Sequence, residues 1–152
     1  MGTHHAGRPD EVQALDAYIK LARATDTLYQ TLARALKERG LSTSQLGVLE
    51  LLFHLGPMCQ RAAAEKMLQS GGNMTTVVDN LEQRGLVRRE RQLDDRRFVT
   101  LHLTPAGRML IEDVFPAHAG RITQLMSALT PDEQRVLAGL CKKLGRANAP
   151  HA

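Results

Sequence analysis

Residues 71–103, GGNMTTVVDNLEQRGLVRRERQLDDRRFVTLHL, decide the fold. Met74, Val77, Val78 and Leu81 recur at i, i+3, i+4 and i+7, so the first part of the stretch winds as a helix with one apolar face. Gly85 stops it. The opposite face carries Gly72, Thr76, Asn80 and Gln83, with Asn73 and Thr75 at its margins. These are short, mostly uncharged hydrogen-bonding groups, whereas a helix face that only meets water usually carries Glu and Lys. After the glycine the pattern changes: 86–93 and 98–103 are rich in Val, Leu, Phe and Thr and read as two short strands, joined by the polar turn Asp94-Asp95-Arg96-Arg97.

Upstream, Leu15, Ile19, Ala22, Leu28, Leu32 and Leu36 fall on one helical face that runs to Gly40, after a tail covering residues 1–9. Ser42-Thr43-Ser44-Gln45 has the form of a capping box and opens the apolar run Leu46, Val48, Leu49, Leu52 and Phe53, which Gly56-Pro57 closes. The Ala-rich residues 60–68 make a third helix. Downstream, Thr104-Pro105 and Thr130-Pro131-Asp132-Glu133 each place Thr at an N-cap and Pro at the first helical position. The helix after Thr104 meets Pro116, which should kink it; the last helix carries Val136, Leu137, Leu140, Cys141 and Leu144 before a tail at 147–152.

At 152 residues, 43% hydrophobic and 24% charged, the chain has the composition of one globular domain with a sizeable core, not of a disordered segment. Two cysteines exclude a disulfide-stapled scaffold. The start lacks the apolar stretch of a signal peptide, and the most apolar segment, Leu46 to Leu55, is broken by Glu50 and His54, so the expectation is a cytoplasmic protein without a membrane span. The net charge is +4, and it is unevenly spread: six arginines (Arg84, Arg88, Arg89, Arg91, Arg96, Arg97) stand against Glu90, Asp94 and Asp95, a local net of +3. That is the footprint of a polyanion-binding surface, although a salt-bridged, solvated hairpin would look the same by charge alone.

Helix, turn, uncharged polar helix and basic hairpin, in that order, make a winged helix-turn-helix: mainly α, of the α+β winged-helix class. In such a domain the second helix enters the major groove and the hairpin reaches the backbone or minor groove. Asn and Thr can exchange hydrogen bonds with base edges while arginines neutralise phosphates. Gly85-Leu86-Val87-Arg88-Arg89 followed by Asp95-Arg96-Arg97-Phe98-Val99-Thr100-Leu101-His102-Leu103-Thr104 resembles the signature of the MarR family of bacterial transcription regulators. The likeness is strongest from Leu41 to Glu112 and includes Asn73-Met74-Thr75 and Val78-Asp79-Asn80-Leu81-Glu82.

The resemblance implies a homodimer that binds a palindromic double-stranded DNA operator. Its dimerisation helices would be 10–40 and 105–146, flanking a DNA-binding region at 41–104. It also implies that Ser70, Asn73, Thr75, Thr76 and Asn80 line the recognition helix, that Arg97 reaches the minor groove with Arg88, Arg89 and Arg96 as further phosphate contacts, and that Asp95 braces the wing. Asp79 is expected to pair with Arg89 or a wing arginine. Regulators of this kind are often repressors released by a small molecule, commonly phenolic, or by an oxidant; no cofactor is required.

The alternative is a dimeric helical protein-interaction module whose hairpin is only a structural cover. An enzyme has no visible basis, since no Gly-x-Ser-x-Gly, phosphate loop, His-Glu-x-x-His or dinucleotide fingerprint occurs. The histidines and cysteines have no paired metal-ligand spacing. Cys59, before the third helix and two residues from Arg61, is the candidate redox residue, and Cys141, within an apolar stripe, reads as a buried core thiol.

Overall fold

The computed structural model describes residues 2–67, 71–91 and 98–148. It contains α1 (Pro9–Lys37), α2 (Thr43–Leu55), β1 (Met58–Cys59), α3 (Gln60–Lys66), α4 (Gly71–Gln83), β2 (Val87–Arg91), β3 (Val99–Leu103), α5 (Pro105–Met126) and α6 (Pro131–Asn148). Two compact units result, Met1–His118 and Ala119–Ala152. The first holds the whole helix-turn-helix and its sheet.

Local chemistry sets the boundaries. The Ser42 side chain accepts the Gln45 N–H at 3.0 Å and Gln45 Oε1 accepts the Ser42 N–H at 2.9 Å, which is the capping box expected at the start of α2. Gly85 adopts φ +67°, and the turn it permits bonds Leu86 N–H to the Leu81 carbonyl and Gly85 N–H to that of Glu82, both at 2.9 Å. Thr104 caps α5 by accepting the Gly107 N–H at 3.0 Å, while its own hydroxyl donates to the Gly85 carbonyl at 2.7 Å. The end of α4 and the start of α5 are thereby tied at one turn. Gly107 is needed there, because a Cβ on it would stand 2.0 Å from the Leu86 carbonyl oxygen.

The sheet is antiparallel in the order β1-β3-β2, with Met58 opposite Leu101 on one side and Arg89 opposite Leu101 on the other. Its core is continuous with the helices: Val48 and Leu49 of α2, Met74, Val78 and Leu81 of α4, Val87, Leu101 and Ile111 are all but fully buried. The apolar stripe of residues 74–81 is therefore the face that α4 packs inward.

The structure corrects several expectations. α1 begins at Pro9, inside the expected tail, and α6 runs on to Asn148. β2 and β3 each begin one residue later than the expected strands, and β1 was not expected, two residues being too few to show a period. Cys141 is exposed, not buried, because α6 buries none of its residues in the protomer; Val136, Leu140 and Leu144 are more than half exposed. No described helix is long and apolar enough to cross a membrane.

Candidate nucleic-acid interface

α4 buries Met74, Val77, Val78 and Leu81, so helical geometry turns Asn73, Thr75, Thr76, Asp79, Asn80 and Gln83 outward, and all six are exposed. Their hydrogen bonds give this face a definite polarity. The Thr75 hydroxyl donates to the Gly71 carbonyl at 2.9 Å and that of Thr76 to the Gly72 carbonyl at 3.2 Å, each one turn back along the helix. Thr75 Oγ1 also accepts from Gln60 Nε2 of α3 at 3.2 Å. Asn80 Oδ1 accepts from Gln45 Nε2 of α2 at 2.7 Å.

Arg89 does not lie where a phosphate contact was expected. On β2 it shares a face with Val87, and its side chain is only 16% exposed. Its Nη1 lies 2.6 Å from Asp79 Oδ1 and 2.9 Å from Glu82 Oε2, while its Nε donates to Gln60 Oε1 at 3.0 Å. A weaker contact joins Nη2 to the Thr75 carbonyl at 3.4 Å. One guanidinium thus bridges α3, α4 and β2. The ion pair expected between Asp79 and Arg89 is present, and Glu82 adds a second carboxylate to it.

Arg88, the next residue, points to the other face of the strand and is exposed, with Nη1 3.2 Å from Glu90 Oε2. Glu90 also stands 2.8 Å from His102 Nε2 across the β2–β3 ladder, a charge pair only when the imidazole is protonated. Arg91 is exposed as well. Arg84 turns away from the wing to donate to the Gly40 carbonyl at 2.9 Å. Ser70, Asp95, Arg96 and Arg97 lie outside the described residues.

Cys59 is the half-buried N-cap of α3, with its backbone paired to Thr100. Among the described residues no cluster of three His, Cys, Asp or Glu side chains could hold a metal ion. Sequence reasoning missed Gln45 and Gln60. Gln45 had a signal in its capping box, but that motif reports only the helix it caps; Gln60 had none.

A short helix, a turn, a second helix with a polar, acid-neutralised outer face and an antiparallel wing define a winged helix-turn-helix DNA-binding protein. The MarR family model matches residues 41–99. The uncharacterized HTH-type transcriptional regulator YkoM of Bacillus subtilis (strain 168) is 38% identical over 137 residues, which span 90% of this chain and 89% of the relative. The chain belongs to the MarR family, whose members are transcription regulators and not enzymes. Among solved structures, AbsC, a MarR family regulator from Streptomyces coelicolor, superposes with a TM-score of 0.83 at 23% identity, covering 94% of this chain and 97% of its own. NadR in complex with 4-hydroxyphenylacetate matches with a TM-score of 0.72 at 23% identity over 99% of both chains.

Proposed function

We propose that this regulator is a homodimeric repressor that places α4 of each protomer in the major groove of a palindromic operator and is released by a small aromatic acid or phenol. The observation that carries the DNA reading is the charge state of α4. The helix contains two carboxylates, Asp79 and Glu82, and both are held by the same guanidinium. The outer face offers phosphates no unpaired acid, while Asn73, Thr75 and Thr76 supply hydrogen-bonding groups where base edges would lie. Arg88 of β2, with Arg96 and Arg97, is assigned to the backbone and minor groove, and Arg89 to bracing. Ser70 and Asp95 keep the supporting roles that the family likeness implies.

The dimer is supported by the exposed apolar residues Val136, Leu140 and Leu144 of α6 and Tyr18 and Tyr29 of α1, which the protomer leaves wet. The effector class is supported by the ligand of NadR, a protein of the same fold. A hollow of about 530 Å³ between α3, α4 and β3, lined by Arg61, Glu65, Met74, Thr75 and Val99, is one place where such a molecule would alter α4.

The experiment is fluorescence anisotropy with operator and scrambled DNA across a salt series. Two recognition helices related by a two-fold axis require half-site centres about 10 bp apart. Asn73→Ala and Thr76→Ala should relax preference at particular base pairs by about 1–3 kcal/mol, whereas Arg88→Ala and Arg97→Ala should weaken binding to all sequences and flatten the salt slope. Affinity that ignores both salt and sequence would leave the protein-interaction module as the answer.

A further inference from the structure

We propose that Asn80 is a phosphate anchor whose amide is turned, Nδ2 outward, by Gln45, a positioning residue that itself does not touch DNA. The inference rests on α4 being the recognition helix and adds what one of its side chains can recognise. It follows from a chain of donors and acceptors that has only one consistent assignment. The backbone N–H of Ser42 can only donate, so the atom of Gln45 that meets it at 2.9 Å is the oxygen, Oε1. The other end of the same amide is then Nε2, which can only donate. It meets Asn80 at 2.7 Å, so the atom there must be Oδ1. A main-chain group at the start of α2 thereby dictates which way an exposed amide on α4 faces.

The consequence is chemical. An asparagine that reads adenine uses both ends of its amide, Oδ1 accepting from N6 and Nδ2 donating to N7. Gln45 takes one of the two lone pairs of Oδ1 and so turns the carbonyl end toward α2, which leaves Asn80 to offer its Nδ2 protons outward, where no other described side chain engages them. It seeks an acceptor. Position selects which acceptor: base contacts come mainly from the N-terminal part of a recognition helix, and Asn80 lies nine residues beyond Gly71, ~14 Å along the axis at 1.5 Å per residue. At that distance the side chain reaches the rim of the groove, where phosphodiester oxygens line the edge. Asn80 therefore belongs with the groups that fix register on the duplex, not with those that read sequence.

Gln45→Glu tests this without uncapping α2. Glutamate keeps an acceptor for the Ser42 N–H and completes the alternative capping box, so the thermal midpoint should not move. It has no donor for Asn80, whose amide must then turn its Nδ2 toward the carboxylate and show Oδ1 to the DNA. Loss of a hydrogen bond to a charged acceptor predicts about tenfold weaker binding, equal for operator and scrambled DNA. The added negative charge is removed by a double-mutant cycle with Asn80→Ala. In the Asn80→Ala background Gln45→Glu should cost at most about threefold, only its charge effect.

A methylphosphonate scan of the operator should find one phosphate per half-site at which neutralisation abolishes the effect of Asn80→Ala. The same loss in both backgrounds, no loss in either, or a loss confined to particular base pairs would each overturn the proposal. Wild-type protein that shows no salt-dependent affinity for any DNA would instead overturn the recognition-helix reading beneath it.

Discussion

Replacing Arg89 by Lys keeps the charge and removes the fork, which makes it the sharpest test of whether this residue braces the domain or serves the DNA. Asp79 and Glu82 are 52% and 41% exposed, so solvent screening holds each ion pair to about 0.5 kcal/mol. The bond from Nε to Gln60 Oε1 is part-buried and contributes about 1 kcal/mol, a little more if the Gln60 oxygen is then left without a donor. Lysine can hold one carboxylate, but it lacks the fork in which Nε bonds Gln60 while Nη1 holds the carboxylates. Glu82 keeps its bond from the Arg89 backbone N–H at 2.9 Å in either case.

The expected loss is about 1.5 kcal/mol, read from urea unfolding at fixed protein concentration, because the stability of a dimer depends on concentration. Raising the salt to 1 M should shrink the ion-pair share and leave the Gln60 share. Operator affinity should fall as α4 loosens, but the slope of affinity against salt should stay at the wild-type value, because this guanidinium neutralises carboxylates and not phosphate. A stability change below about 0.3 kcal/mol together with a flatter salt slope would refute the bracing role, since a solvated phosphate contact behaves that way.

Gly107→Ala should destabilise the protein by about 1–3 kcal/mol in denaturant unfolding, because its Cβ would meet the Leu86 carbonyl oxygen at 2.0 Å, a backbone atom that must then shift. Glu133 accepts the Thr130 N–H and hydroxyl, and these bonds hold its carboxyl below the usual pKa. The stabilisation it gives is thus present above the ordinary glutamate range and lost as pH falls through the depressed folded value. Thr130→Val should move that carboxyl back toward its ordinary pKa in an NMR titration, and an unchanged midpoint would contradict the assignment. Leu140→Glu, on the exposed apolar face of α6, should convert the dimer to monomer in sedimentation, with a loss of operator affinity as the second half-site is released.

Most of the winged domain was legible because its determinants are local. The stripe Met74, Val77, Val78, Leu81 shows its period within two helical turns, and Ser42 with Gln45 and Thr104 with Pro105 announce helix starts within a few residues. What was hidden depends on groups distant in sequence or on which side of a strand faces in. Gln45 and Asn80 are 35 residues apart, and no spacing rule joins them. Arg88 and Arg89 have identical chemistry, and the charge count that singled out the wing treats them alike; only alternation from buried Val87 separates the inward arginine from the outward one. Cys141 shows the opposite failure. An apolar stripe states that a helix face needs covering, but not whether the cover comes from the same protomer.

With α4 in the major groove, as proposed, Thr76 would present a lone pair beside a methyl group. Its one hydroxyl proton is committed to the Gly72 carbonyl within its own helix, so while that bond is kept the residue can accept but cannot give. In the major groove the matching donors are the exocyclic amines of adenine and cytosine, and the matching apolar surface is the thymine methyl. Guanine, which shows only the acceptors N7 and O6 there, finds no proton on this side chain. The base pair under Thr76 should accordingly be chosen by what the helix has already spent on itself, with A·T, which offers both an amine and a methyl, favoured in either orientation.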